Sequence, residues 1–255
     1  MLAQRAIMRY VYFLIEIGGA LALISVLFFL LRGPSRKFWA LIVYVAWELL
    51  SNLALESFDL LYNAATPGAG NTSAQVMRLY SRLYWTNDVI VDLLRFLLVI
   101  WLTYRATSGG PKRTSIGRML SGIVVVALAL PFLLFPMFPM GPRAWPEASW
   151  FNSTSELLNF GAAIMNLVLW GVLLADRKRD AQLTVVSVGL GVVVTGAAIS
   201  YGLRHLIPAE AWFIPNTFLL LTQLAGWTIW CRAFWPARHP SPALDAASGN
   251  AMPPV

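Results

Sequence analysis

The hydrophobic pattern of this chain runs in long blocks and not in short alternations. Seven stretches, about 8–31, 38–62, 79–105, 117–138, 150–174, 181–206 and 212–235, are predominantly apolar. A membrane-spanning helix needs about 20 such residues, so each block predicts one. The breaks carry helix-ending chemistry. Gly33-Pro34 closes the first block, and Pro67-Gly68 with Gly70-Asn71 separates the second from the third. Gly109-Gly110-Pro111 follows the third, Pro136, Pro139, Pro142 and Pro146 follow the fourth, Arg177-Lys178-Arg179 follows the fifth and Pro208 the sixth. Arg5 and Arg9 before the first block resemble a signal-peptide start. The run continues to Leu31, beyond the length of a signal h-region, and no small-residue cleavage site follows. The expected fold class is therefore an all-α membrane protein: a seven-transmembrane-helix domain over residues 1–236, with a Pro-, Ala- and Ser-rich tail at 237–255 expected to be disordered.

Basic residues orient the blocks. Arg5, Arg9, Arg78, Arg82, Arg143 and Arg204 fall on one side. Arg32, Arg36, Lys37, Arg105, Lys112, Arg113, Arg118, Arg177, Lys178, Arg179, Arg232 and Arg238 fall on the other. The richer side is cytoplasmic by the positive-inside rule, which predicts an N-out, C-in topology in an inner (plasma) membrane. Trp39, Trp85, Trp145, Trp150, Trp212 and Trp235 lie near predicted helix ends, where interfacial aromatics are expected. Asn71 and Asn152 sit in N-x-[ST] sequons on the outer side.

Composition sharpens this picture. The chain is 58% hydrophobic and 12% charged, against roughly 25% charged in an average soluble domain. Its net charge of +7 resides mostly in short loops, so it is a topology signal and not a nucleic-acid footprint. Cys231 is the single cysteine, which excludes an intrachain disulfide or a CxxC pair.

The charges inside the blocks carry the functional information, since each costs roughly 2.5–3.5 kcal/mol at a helix centre on insertion scales. Seven of the twelve acids fall there: Glu16, Glu48, Glu56, Asp59, Asp88, Asp92 and Glu156. Arg95 is the one basic residue placed deep in a block. At 100° per residue, Glu48, Asn52, Glu56, Asp59 and Asn63 share an arc of about 80° on the second helix. The third helix groups Tyr84, Asn87, Asp88, Asp92 and Arg95, and the fifth Asn152, Glu156, Asn159 and Asn166. The seventh aligns Asn216, Gln223, Trp227 and Trp230, while the sixth offers a small-residue face of Ser187, Gly191, Thr195, Ala198 and Gly202 for close approach. The fourth is nearly devoid of polar residues and is expected at the lipid-facing periphery. In an antiparallel pairing of helices two and three, residues at equal depth have a near-constant sum of numbers. Glu48 then meets Arg95, Asn52 meets Asp92, Glu56 meets Asp88 and Asp59 meets Tyr84. Glu48–Arg95 is expected to be a structural ion pair. Two carboxylates in contact need a shared proton or a cation, so Glu56, Asp88 and Asp92 lead the candidate ligand- or proton-binding residues, with Glu16, Asp59, Glu156 and Asn159 behind them. The same groups could serve only as interhelical glue. His205 at the outer end of helix six is expected to be interfacial.

Several chemistries are excluded by residue type. A retinal Schiff base needs a lysine in the last helix, and Lys37, Lys112 and Lys178 all fall in loops. Two histidines, His205 and His239, cannot supply an intramembrane zinc set or a bis-histidine haem. No G-x-S-x-G, P-loop or dinucleotide motif is present, so no cofactor is expected and the chain leans away from an enzyme. Tyr84-Trp85 followed by Asp92-Leu93-Leu94-Arg95-Phe96 resembles the third helix of seven-helix membrane proteins of soil bacteria, and the architecture is similar to the seven-helix sensory modules that precede bacterial signalling domains. The resemblance implies a fold and names no site residue. The leading expectation is a sensory or signalling module that binds a small ligand, cation or proton in an outward-facing polar pocket and addresses a partner through its cytoplasmic loops. Alternatives are a transporter, whose polar path would continue inward through Glu48, Arg95, Asn166 and Gln223, and a structural subunit of a membrane complex.

Overall fold

A computed structural model describes residues 2–32, 37–65, 70–107, 113–134, 148–175, 180–208 and 211–235; the side chains at 2–13, 59–75, 77, 113–114, 134 and 148–149 lie outside this description. These residues form seven helices and no strands: α1 (Leu2–Arg32), α2 (Trp39–Ala65), α3 (Gly70–Ala106), α4 (Arg113–Leu134), α5 (Ala148–Ala175), α6 (Ala181–Leu206) and α7 (Phe213–Phe234). Most boundaries follow the apolar blocks. The exceptions are at two N-terminal ends: α1 begins at Leu2, before residue 8, and α3 begins at Gly70, well before residue 79. Gly70-Asn71 opens the helix instead of breaking the chain ahead of it. The tail at 237–255 and most of the predicted breaks lie outside the described residues.

The helices close into a ring in the order α1, α2, α3, α5, α6, α7, with α3 also reaching α6 across the interior. The nearly nonpolar α4 packs outside the ring against α3 and α5. The surface is inverted relative to a soluble bundle. Leu133 is 78% exposed, Leu167 72% and Leu14 67%, while Glu48, Asp92, Arg95 and Asn159 are buried. Five helices, α1, α2, α4, α5 and α6, contain stretches long and apolar enough to cross a membrane. The apolar run of α3 is interrupted by Asp88, Asp92 and Arg95, and that of α7 by Pro215, Asn216 and Gln223. Polar interiors of this kind fit a bundle whose solvent is lipid, and the chain is a membrane-embedded helical protein.

The two ends of the bundle differ. At the end carrying Arg32 and Ala181, the buried residues are apolar: Leu30, Phe38, Leu41, Leu98, Leu102, Leu173, Leu183, Val186 and Phe234 form one continuous core. Phe38 packs edge-on to Phe234 and Trp101 at 5.5 and 6.4 Å. Thr103 is buried there and returns its hydroxyl to Val99 O at 2.9 Å. Trp39 and Trp235 stay exposed at this end, whereas Trp150 at the other end turns inward against Phe151 and Phe132.

The α6–α7 seam depends on missing side chains. A Cβ on Gly189 would stand 2.5 Å from Trp230 Nε1, and one on Gly226 would stand 2.8 Å from Gly189 O. The resulting approach lets Trp230 Nε1 donate to Val186 O at 2.9 Å. The contact face of α6 is thus Gly189, Val193, Gly196 and Ser200. Thr195, expected on the small-residue face, is exposed, because α6 meets α5 and α7 on different sides.

Asp180 caps α6, its Oδ1 accepting from the N–H groups of Gln182 and Leu183 at 3.0 and 3.2 Å, and Lys37 lies 3.3 Å from its Oδ2. Partial burial opposes its charge, but the Leu183 amide and Lys37 outweigh it and hold the carboxyl below its ordinary value near 3.8. A carboxyl so depressed adds stability that is present above the unfolded value and is lost as pH falls through the folded one. Asp180→Ala is expected to cost about 1 kcal/mol at neutral pH, read from unfolding midpoints in detergent, with the gap to wild type closing as pH falls below about 4.

Candidate functional site

Helical phase carries Glu48 of α2 and Arg95 of α3 into the interior at one depth. Glu48 lies nine residues beyond Trp39, about 14 Å along the axis and close to the middle of a bilayer core of about 30 Å. Arg95 is 3% exposed and each of its nitrogens is engaged. Nε donates to Tyr44 Oη at 3.1 Å, Nη1 to Asp92 Oδ1 at 2.7 Å and Nη2 to Glu48 Oε1 at 3.4 Å. The two carboxylates thus share one cation. Tyr44 then meets Trp230 edge-on, with ring centroids 5.9 Å apart, so the cluster extends from α2 and α3 to α7 and through Trp230 to α6.

The neighbouring pairs do not form the predicted ladder. Asn52 is exposed toward a cavity, whereas Asp92 is fully buried on the opposite side of Arg95. Asp92 faces Asn159 and Ser155 of α5, with weak polar contacts to both. Those contacts leave Asp92 Oδ2, Ser155 Oγ and Asn159 Oδ1 buried without a closed hydrogen bond. Asn159 Nδ2 donates instead to Ser155 O at 2.8 Å. Asp88 accepts a 2.6 Å hydrogen bond from Tyr201 Oη of α6, not a contact from Glu56. The reason is geometric: α3 is enclosed by α2, α5 and α6, so its acids a turn apart reach different neighbours. The side chain of Asp59 lies outside the described residues.

A cavity of about 390 Å³ opens between α1, α2, α3 and α7. Glu16, Glu56 and Asp88 stand on its walls with Asn52 and Asn87, and Glu48, Arg95, Gln223 and Trp227 reach its lower part. Glu16 and Glu56 are within electrostatic reach of each other and exposed. Of the remaining candidates, Asp92 and Asn159 lie behind Arg95, outside the cavity lining. Glu156 contacts His205 Nε2 at 2.9 Å, on the α5–α6 surface. Asn166 faces Ser187 Oγ at 3.5 Å and also stands outside the lining.

Above Tyr201, Arg204 lies 4.6 Å from the ring centroid and donates to Asn216 Oδ1 at 2.9 Å and Asn152 Oδ1 at 3.4 Å. It ties α5, α6 and α7 together where α6 ends and α7 begins. Tyr44, Tyr80 and Tyr201 are neighbours of these acids that the acid-centred reading overlooked, while Trp227 stands where its alignment with Gln223 on the seventh helix placed it. Tyr44 was within reach, because it precedes Glu48 by four residues and shares its face. Tyr201 sits in an apolar helix with nothing in its own phase to pair it with Asp88.

Comparison of the chain with protein-family models, characterised proteins and solved structures returns no match.

Removing Arg95 would leave Glu48 and Asp92 as buried carboxylates with no cation. Arg95→Met is expected to cost about 3–5 kcal/mol in unfolding measurements in detergent. Adding Glu48→Gln and Asp92→Asn to that variant should recover a large part of the loss, because the penalty is the unpaired charge and not the lost side-chain volume.

Proposed function

We propose that this chain is a seven-helix inner-membrane protein, N-out and C-in, that acts as a sensory or signalling module. A small ligand, cation or proton binds in the acidic cavity from the outer side, and the change is passed to a partner at the basic cytoplasmic loops. The observation that carries this reading is the cavity of about 390 Å³ walled by Glu16, Glu56 and Asp88 and bounded below by the Arg95 cluster. In the N-out orientation α2 ends and α3 and α7 begin at the outer face, and the cavity would be reached from there past Glu16 and Glu56. Beneath it the described core from Leu41 and Leu98 to Phe234 is apolar apart from Thr103, whose hydroxyl returns to Val99 O, which favours a binding site over a through-path. Asn166 would have to extend such a path, and it turns toward Ser187 and Gly191 instead.

Binding is expected to reach the rest of the bundle through two bonds. Asp88 is held to α6 by Tyr201, and Glu48 to α3 by Arg95. A charge entering the cavity changes the environment of both carboxylates and thereby shifts the contacts that join α2, α3 and α6. The charged and titratable groups around Asp88 are Glu16 on α1, Glu48 and Glu56 on α2, Tyr84, Asp92 and Arg95 on α3, and Tyr201 and Arg204 on α6.

The purified chain should show an unfolding midpoint that moves by several degrees with pH or with one member of a cation panel, and Asp88→Asn should abolish that response. Reconstituted in liposomes, the same protein should carry no proton or cation flux. A flat profile identical in wild type and variant would reduce the carboxylates to interhelical glue, and a measurable flux would favour transport.

A further inference from the structure

We propose that the cavity is built for a small organic ammonium ion: a primary or secondary amine carried on an apolar or aromatic body. This inference rests on the pocket reading above and names the ligand class. Four acids, Glu16, Glu48, Glu56 and Asp88, line the cavity against one cation, Arg95. All three Arg95 nitrogens are already engaged by Tyr44, Asp92 and Glu48, so the guanidinium presents little to an anion. Among the described residues the acids form no metal-ligand cluster, being spread along the wall instead.

The lower cavity specifies a hydrogen-bonding headgroup. Glu48 Oε2 and Trp227 Nε1 are buried without partners, in side chains only 5% and 6% exposed, and both residues line the cavity. Tyr44 stands beside both, and its hydroxyl accepts from Arg95 Nε, but it meets neither atom with hydrogen-bond geometry. Glu48 Oε2 needs a donor, which an ammonium N–H supplies and a quaternary ammonium does not. Trp227 Nε1–H needs an acceptor, which a hydroxyl or carbonyl oxygen near the amine supplies. Higher in the cavity Leu53, Leu219, Leu220, Tyr80 and Tyr84 provide an apolar and aromatic sleeve for the body. A volume of about 390 Å³ falls in the usual range for small-molecule sites.

Three probes with one aromatic body and different heads test the class: 2-phenylethylamine, 2-phenylethanol and 3-phenylpropionate, titrated at neutral pH into the full chain in detergent, with binding heat and unfolding midpoint as readouts. The amine should bind and raise the midpoint, the alcohol should bind about tenfold more weakly, and the carboxylate should not bind. Glu16→Gln and Glu56→Gln, both exposed and remote from the Arg95 cluster, should each weaken the amine by about 2–5-fold without lowering the unliganded midpoint. Glu48→Gln should weaken it more, and the two mouth variants keep the test sound if Glu48→Gln unfolds. Equal binding of the alcohol or the carboxylate, or amine binding indifferent to both mouth variants, overturns the ammonium class and leaves the pocket standing. Binding of none of the three at millimolar concentration overturns this inference, while the pocket reading is decided separately by the pH and cation response of the unfolding midpoint and its loss in Asp88→Asn.

Discussion

A guanidinium at mid-depth in a lipid-sized bundle must be surrounded by acceptors before the helices around it can close, because nothing in hydrocarbon would solvate it. Arg95 meets this demand with Tyr44 and Glu48 from α2 and Asp92 from its own helix. That requirement fixes the register of α2 against α3. It also sets the rotation of α3, since Asp92 must turn toward α5 for Arg95 to reach α2. The rest of the polar interior follows from this rotation. Asp88 comes to face α6 and Tyr201, and Asn52 and Glu56 are left on the open side between α1, α2 and α7. A buried ion pair of this kind is weak evidence for net stability. Its consequence here is specificity of register, which an apolar seam between two leucine-rich helices would leave free to slide.

The polar and apolar halves of the interior divide the work of the fold. In the half containing Leu30, Phe38, Leu98, Leu102 and Phe234, close packing of apolar side chains and edge-to-face aromatics holds the ring together. In the other half, Arg204 with Asn152 and Asn216, Ser200 with Pro215 O, and Tyr201 with Asp88 join the helices by directed bonds. Directed bonds tolerate a cavity where close packing does not, because each specifies a distance and does not require the adjoining space to be filled. The α6–α7 seam, zipped by Gly189 and Gly226, forms a rigid wall opposite the more loosely joined α1–α2 side. The cavity lies on that looser side, bordered by α1, α2, α3 and α7.

Five helices were legible by an apolar length that no soluble helix of this composition would carry, α3 and α7 were legible by the breaks that bound them, and α4 announced its place outside the ring by having almost no polar residue. The meeting of Glu48 and Arg95 was legible because an antiparallel hairpin converts residue number into depth. The other partners of α3 were hidden, since depth along an axis says nothing about azimuth. Asp88 and Asp92 reach α6 and α5 because α3 sits inside the ring, a fact that depends on all the other helices at once. The start of α3 was misread because Gly70-Asn71 is a turn signal locally and is overridden by the helix that follows. The small-residue face of helix six was legible in its approach to α5 through Ser187, Gly191 and Gly202, but the second close approach, to α7 through Gly189, lies on a different side and was not.

The account's central claim is a polar cavity open to one side of the membrane and sealed on the other by the apolar core. Cysteine accessibility addresses it most directly. In a Cys231→Ser background, Asn52→Cys on the cavity wall and Leu190→Cys in the buried core would each be treated with a membrane-impermeant thiol reagent from either face. The account predicts that Asn52→Cys reacts from the outer face only and that Leu190→Cys reacts from neither. Reaction of Asn52→Cys from both faces, or of Leu190→Cys from either, would contradict it.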